Sequence, residues 1–82
     1  MSHFSRDRNA LLGSLSAKDL LVLRALLDGA RTAREVTTAI GSKAWPQLRW
    51  MELCEPSLVT SAQDPCHGEV WSATALGAAA LG

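Results

Sequence analysis

The sequence lacks several features that would place it in a class at once. It contains no apolar run near the ~20 residues that span a bilayer, and residues 1–8 are polar, with no apolar signal core behind them. It also contains no G-x-S-x-G or H-E-x-x-H motif and no glycine-rich phosphate loop. We therefore expect a cytoplasmic protein that is not an enzyme, does not enter a membrane, and holds no cofactor or metal ion.

Basic residues are absent from the C-terminal part of the chain. The formal net charge of the whole chain is 0, yet residues 50–82 contain four acidic residues and no Lys or Arg. Residues 31–49 carry a net charge of +3, from one acidic and four basic residues: Glu35, Arg31, Arg34, Lys43 and Arg49. Proteins that bind duplex DNA draw most of their affinity from basic side chains at phosphates. Any such surface is therefore expected within residues 31–49.

Cysteine is scarce, and its spacing is not that of a metal or redox motif. Cys54 and Cys66 lie in different predicted elements and form no C-x-x-C pair. In a reducing cytosol such residues are free thiols, which is our first interpretation. One alternative is a zinc site built from His3, Cys54, Cys66 and His67, although structural zinc ligands usually come in closely spaced pairs. Another is acid–base chemistry at His67 beside Asp64, although a histidine in a polar turn is usually only solvated.

The length and composition indicate one globular domain over residues 1–82. The chain has 82 residues, of which 48% are hydrophobic and 20% charged, which is ordinary for a folded protein. A domain of this size buries roughly 60% of its unfolded surface. No internal repeat or low-complexity linker divides it.

A capping box marks the start of a helix at Thr32. Glu35 follows three residues later, the spacing at which a hydroxyl and a carboxylate satisfy opposite N–H groups of a new helix. The helix is predicted to begin near Ala33 and to run through Ile40. Gly41 is then expected to end it, because glycine adopts the left-handed backbone of a helix C-terminus.

A second capping box, formed by Ser16 and Asp19, predicts an earlier helix that Gly29 ends. Three leucines recur at helical spacing and are expected to form its apolar face: Leu20, Leu23 and Leu27. A shorter helix is predicted before it, over residues 5–12. The pair Ala30–Arg31 is long enough for only a minimal strand.

The remainder of the chain predicts a third helix, a hairpin and a final helix. The third helix spans Trp45–Glu55 and is ended by Pro56. A strand begins near Leu58, residues 63–68 form a turn by composition, and residues 69–72 alternate as a returning strand. Residues 74–81 are rich in alanine and form the last helix, with Thr74 as its cap.

Three segments resemble the winged helix-turn-helix regulators of the MarR and ArsR kind. These segments are Ile40-Gly41-Ser42, Leu53-Cys54-Glu55-Pro56-Ser57-Leu58-Val59 and Trp71-Ser72-Ala73-Thr74-Ala75-Leu76-Gly77. The resemblance extends over residues 16–81. It implies a mainly α fold with a small β-hairpin (α+β), a winged helix-turn-helix. Its parts would be an N-terminal arm or short helix (1–15), a helical core (16–56), a wing (57–73) and a C-terminal helix (74–82).

Two positions depart from that family pattern. Ser57 stands where the family usually has Gly, and the predicted wing tip at residues 63–68 has no Arg or Lys for the minor groove. The resemblance implies a transcriptional regulator that binds double-stranded DNA as a dimer, with its third helix in the major groove.

Five residues are the candidate nucleic-acid contacts. Arg31, Arg34 and Lys43 lie at the starts of the second and third helices, where basic side chains and unpaired N–H groups suit phosphate oxygens. Gln47 and Arg49 suit adenine and guanine edges. The alternative for Arg34 is a solvated ion pair with Glu35 or Asp28, a pair worth only ~0–1 kcal/mol.

The third helix also predicts an alternative function, because apolar residues occur all round it. One helical phase turns four side chains toward the core: Pro46, Trp50, Leu53 and Cys54. The other phase instead turns Trp45, Leu48 and Met51 inward. In the first phase the outward surface is closer to a protein interface than to a base-reading surface. The alternative is therefore an interaction module or small inhibitor protein that does not bind DNA. Its partner would contact Trp45, Leu48, Met51 and Glu52.

Overall fold

The computed structural model describes residues 13–81, which contain four helices and one hairpin. Helices α1 (Ala17–Leu27), α2 (Ala33–Ile40) and α3 (Trp45–Leu53) are followed by strands β1 (Val59–Asp64) and β2 (Gly68–Ala73) and by helix α4 (Ala75–Ala79). Within residues 13–81 this is a mixed α/β fold with a single two-stranded antiparallel sheet. The predicted helix over residues 5–12 lies outside the described residues. No helix of residues 13–81 has the length and apolar character that crossing a membrane requires.

Both predicted capping boxes are confirmed. The Ser16 hydroxyl accepts a hydrogen bond from the Asp19 N–H at 3.2 Å, and the Asp19 carboxylate accepts one from the Ser16 N–H at 2.9 Å. Thr32 and Glu35 exchange the same two bonds at the start of α2, both at 3.1 Å. Gly41 follows α2 with a φ of 77°, the left-handed backbone expected there. Local sequence thus determines where α1 and α2 begin and where α2 ends.

The buried face of α1 differs from the predicted one. Leu27, which we expected in the core, is 49% exposed, and Leu20 is only partly buried. The large side chains that α1 buries are Val22, Leu23 and Leu26. Apolar residues fill most positions of this helix, so the sequence offers two overlapping stripes at helical spacing and packing selects between them.

Helix α3 begins at Trp45 as predicted but ends at Leu53 rather than Glu55. The residue before a proline is disfavoured in the helical conformation, so Glu55 does not continue the helix toward Pro56. Two carbonyl groups near the end of α3 are satisfied by the chain that follows. The Ser57 hydroxyl donates to the Glu52 carbonyl at 2.9 Å, and the Leu58 N–H donates to the Met51 carbonyl at 3.0 Å.

The predicted hairpin is confirmed, with β1 and β2 paired from Val59↔Ala73 to Asp64↔Gly68. At its turn the Asp64 carboxylate accepts hydrogen bonds from the N–H groups of Cys66 at 2.7 Å and His67 at 3.1 Å. Gly68 closes the turn with a φ of 78°. An Asp that bonds its own turn and a Gly with positive φ are the turn chemistry that the composition predicted.

The predicted minimal strand at Ala30–Arg31 does not form, since the described sheet has two strands. One backbone hydrogen bond joins this segment to the hairpin, from the Trp71 N–H to the Arg31 carbonyl at 2.6 Å. The two N–H groups of the segment are already used: that of Ala30 donates to the Ala25 carbonyl at 3.0 Å, and that of Arg31 to the Glu35 carboxylate at 2.8 Å. The segment therefore anchors the hairpin without extending the sheet.

Helix α4 closes the fold through a close backbone approach. Thr74 caps it as predicted, accepting a hydrogen bond from the Gly77 N–H at 3.2 Å, and its hydroxyl also donates to the Ser57 carbonyl at 2.8 Å. A Cβ at Gly77 would overlap the Leu58 carbonyl oxygen and lie 3.1 Å from Cδ2 of Leu23. The T-x-x-G segment thus supplies a cap and a position without a side chain where α4 meets the core. Seven large side chains of that core are 0% exposed: Val22, Leu23, Val36, Leu48, Met51, Leu58 and Val59.

We expect Gly77→Ala to destabilise the protein, although alanine is the better helix former. The added methyl group overlaps the Leu58 carbonyl oxygen, and such overpacking typically costs about 1–3 kcal/mol. In a domain of this size each kcal/mol lowers the melting temperature by about 4–8 °C, which thermal unfolding followed by circular dichroism measures. Gly13→Ala is the matched control, because a Cβ at Gly13 has nothing within 4 Å. Equal melting temperatures for the two variants would contradict this packing of α4.

Candidate nucleic-acid interface

The outward face of α3 is not the predicted one. Leu48 and Met51 are 0% exposed and lie in the core, whereas Leu53 is 72% exposed. The phase that turned Pro46, Trp50, Leu53 and Cys54 inward was therefore wrong. The other phase is right for Leu48 and Met51 but not for Trp45, which is 51% exposed. Because apolar residues occur all round α3, the periodicity of the sequence did not determine which side is buried.

This phase changes the candidate partner-binding set. Leu48 and Met51 belong to the core, so their side chains offer no surface to a partner. Trp45 is half exposed, and the side chain of Glu52 is 25% exposed. Of the four residues proposed from the sequence, two therefore remain at the surface.

Arg49 lies at the centre of a group of contacts that joins α3 to β2. Its Nη1 is 2.8 Å from Oε1 of Glu52, and its Nη2 is 3.9 Å from Oε2 of Glu69. Its guanidinium carbon lies 5.1 Å from the ring centroid of Trp45 and 5.5 Å from that of Trp71. Both distances are within cation–π range. A position on the surface of the third helix is what the sequence predicts for Arg49, but Glu69 and Trp71 reach it only because the hairpin folds beside α3.

Gln47 is poorly placed for reading an adenine edge. The residue is half-buried, and its Oε1 is buried without a hydrogen-bond partner. Bidentate recognition of adenine requires both the amide oxygen and the amide nitrogen to reach the base. In the conformation described, the oxygen is not at the surface.

The three candidate phosphate contacts are all exposed, and two of them are unpaired. Arg31, Arg34 and Lys43 lie around the starts of α2 and α3. The Arg31 guanidinium is 3.7 Å from the Asp64 carboxylate. Within residues 13–81, Arg34 and Lys43 make no ion pair or side-chain hydrogen bond.

The carboxylates expected to pair with Arg34 are occupied elsewhere. Asp28 lies 3.8 Å from Arg24, one turn away on α1. Glu35 accepts hydrogen bonds from the N–H groups of Arg31 and Thr32, which lower the pKa of its carboxyl. Within residues 13–81 the alternative of a solvated Arg34 ion pair is therefore not found, and the local excess of positive charge stays at the surface.

The start of α3 differs from that of every other helix in residues 13–81. Helices α1, α2 and α4 are capped by a Ser or Thr hydroxyl, but the N-cap of α3 is Ala44, which offers no side-chain acceptor. The N–H groups in the first turn of a helix have no intrahelical partner. Pro46 in this turn has no N–H, so the donors that suit an anionic oxygen are the N–H groups of Trp45 and Gln47, together with the adjacent Lys43.

The hairpin turn, which has no Arg or Lys in the sequence, carries the carboxylate of Asp64. Hydrogen bonds from the N–H groups of Cys66 and, to a smaller extent, of His67 lower the pKa of the Asp64 carboxyl. The His67 ring is exposed, with Nδ1 3.4 Å from Asp64 Oδ1. These contacts stabilise the turn and bring Asp64 toward Arg31.

Both cysteines of the chain are free thiols in the structure. Cys66 is exposed in the hairpin turn, whereas Cys54 is partly buried after α3. Burial raises the pKa of the Cys54 thiol, and the nearby Asp19 carboxylate raises it further. Within residues 13–81, no three His, Cys, Asp or Glu side chains lie close enough together to hold a metal ion. His3, the fourth residue of the zinc alternative, lies outside that range.

Comparison with protein-family models, curated proteins and solved structures gives no significant match for this chain. The exposed cations at the starts of α2 and α3, and the Arg49 contacts on α3, are the features of residues 13–81 that bear on its function.

We expect the Cys66 thiol to react faster than the Cys54 thiol with a disulfide reagent at about pH 8. Cys66 is exposed, while Cys54 is partly buried with a raised pKa, and the thiolate is the reactive form. Stopped-flow absorbance on Cys54→Ser and Cys66→Ser measures each thiol separately. Unfolded samples of the same variants give the rates without protection. If Cys54 reacted as fast in the folded chain as in the unfolded one, its described environment would be wrong.

Proposed function

We propose that this chain is a small winged-helix protein that binds duplex DNA and acts as a transcriptional regulator. The order of two helices, a turn, a third helix, a hairpin and a final helix supports the winged-helix assignment. The observation that carries the DNA proposal is the exposed set of Arg31, Arg34 and Lys43, two of which have no carboxylate partner within the described residues. A chain of zero net charge can bind a polyanion only if its positive charge is concentrated in this way.

In this proposal the phosphate contacts are made at the starts of α2 and α3. Arg34 lies in the first turn of α2, and Lys43 directly precedes the uncapped start of α3. A phosphate at the start of α3 gains the Lys43 side chain and the N–H groups of Trp45 and Gln47 at once, since only Pro46 in that turn has no N–H, and these are the two components of an anion site at a helix start. The exposed side chain of Trp45 and that of Arg49 then lie toward the major groove.

A salt titration tests this proposal, with a fluorescently labelled random duplex and anisotropy as the measurement. We expect the logarithm of the binding constant to fall linearly with the logarithm of salt concentration, with a slope near −0.9 for each phosphate contacted. Arg34→Ala and Lys43→Ala should weaken binding to all sequences alike and make the slope shallower by about 1 each.

Arg24→Ala is the charge-matched control for these variants. It removes the same charge from α1, where Arg24 already pairs with Asp28, and we expect a slope within about 0.3 of the unmodified chain, because it contacts no phosphate. Absence of binding at low salt, or a flat response to salt, would rule out the DNA proposal.

A protein partner is the second candidate function, and the exposed apolar residues of α3 favour it. Trp45 is 51% exposed and Leu53 is 72% exposed. The carboxylates of Glu52 and Glu69 lie at the edge of this surface, each in contact with Arg49. Aromatic and aliphatic side chains around an Arg are typical of the centre of a protein interface, and the simplest partner is a second copy in a homodimer.

For this second candidate we expect Leu53→Ala and Trp45→Ala to weaken self-association without lowering the melting temperature. Trp45 is half exposed and Leu53 largely exposed, and neither belongs to the buried core, so their truncation leaves no core cavity. Leu48→Ala is the matched control, because Leu48 is 0% exposed and its truncation should cost about 2–5 kcal/mol. Size-exclusion chromatography with light scattering at two concentrations measures the association. A monomer at both concentrations would exclude the homodimer.

A further inference from the structure

The contacts of Arg49 form a chain that runs from the hairpin to α3. The Ser61 hydroxyl donates to Oε2 of Glu52 at 2.5 Å, and Oε1 of the same carboxylate accepts from Nη1 of Arg49 at 2.8 Å. Ser61 lies on β1, while Glu52 and Arg49 lie one turn apart on α3. Both oxygens of Glu52 are therefore used, and the carboxylate is fixed from both sides.

From these contacts we propose that Glu52 and Ser61 are positioning residues for Arg49, which reads a guanine in the major groove. The inference rests on the proposed DNA-binding function and names the base that this function recognises. Arg49 has the exposure that a reading residue needs, since its side chain is 38% exposed. Glu52 is the less exposed partner, at 25%, as expected for a support behind it.

Arg49 keeps enough donors to bind a base while Glu52 holds it. A guanidinium group has five N–H donors, and the hydrogen bond to Glu52 uses one of them. The carboxylate of Glu69 is 3.9 Å from Nη2, which is longer than a hydrogen bond. Donors on Nη2 and Nε are therefore available for the O6 and N7 acceptors of guanine, the pair of acceptors that arginine binds best.

The two tryptophan rings restrict the guanidinium further. Trp45 and Trp71 lie 5.1 and 5.5 Å from its central carbon, one on α3 and the other on β2. An arginine held before binding loses less conformational freedom when it meets its base. Arg24 shows the contrast, because it has a single carboxylate contact at 3.8 Å and its side chain is 66% exposed.

The experiment begins with selection of a preferred site from a random duplex library by the unmodified chain. Affinity is then measured by anisotropy for that duplex and for versions in which each G·C pair is replaced by A·T. We expect one guanine at which replacement weakens binding by about fivefold to 150-fold, the range for a bidentate base contact. Arg49→Ala should remove that preference.

Two isosteric variants separate positioning from simple neutralisation. Glu52→Gln should reduce the preference for that guanine to about threefold or less, because the amide holds the guanidinium more weakly than a charged partner does. Glu69→Gln makes the same change of charge at the carboxylate that lies 3.9 Å away. It should tighten binding to all duplexes while the guanine preference stays. Ser61→Ala should lower the preference in the same direction as Glu52→Gln, and equal melting temperatures show that the variants are folded.

Other results would separately contradict the role of Glu52, the reading of guanine or DNA binding itself. If Glu52→Gln keeps the full guanine preference, or if it tightens binding without changing preference, Glu52 is not a positioning residue. Binding of duplex DNA without any base preference overturns this inference and leaves the proposed function standing. Absence of binding to any duplex at low salt overturns both.

Discussion

The position of α3 depends on one backbone junction at Leu58. Its N–H donates to the Met51 carbonyl near the end of α3 at 3.0 Å, and its carbonyl accepts from the Thr74 N–H at 3.0 Å. Leu58 is 0% exposed, so the junction is shielded from water. Unpaired backbone groups are costly in such a buried position. Because Gly77 has no Cβ, α4 approaches the same carbonyl closely. Leu58 thus connects the third helix, the hairpin and the last helix and fixes their relative positions.

This junction explains why the charge pattern of the sequence only partly survives folding. Residues 31–49 are basic and residues 50–82 are acidic, but the hairpin returns beside α3 and brings Glu69 near Arg49. Asp64 comes near Arg31 in the same way. Arg34 and Lys43 remain without a partner within residues 13–81, so the unbalanced positive charge is smaller and more local than the sequence indicates. Arg34 and Lys43, which carry this remaining positive charge, are proposed phosphate contacts.

The two proposed functions overlap at Trp45 but otherwise use different residues. DNA binding draws on the cations at the starts of α2 and α3, whereas a protein partner draws on Trp45 and Leu53, which are 51% and 72% exposed. Arg49 lies between them, with two carboxylates and two rings around it. A single surface ion pair contributes little to stability, but these contacts together hold the Arg49 guanidinium against both α3 and the hairpin.

The sequence by itself determined the features that depend on neighbours a few residues away. These are the capping boxes at Ser16 and Thr32, the glycine after α2, the hairpin turn and the Thr74 cap of α4, because the hydrogen bonds that define them join residues at most four positions apart. Only the tertiary structure decided which faces of α1 and α3 are buried and which groups surround Arg49. Apolar residues lie on several sides of both helices, so burial depends on what packs against them. Contacts between α3 and the hairpin depend on where the two strands pack in three dimensions, and the spacing of residues within a local segment does not indicate this.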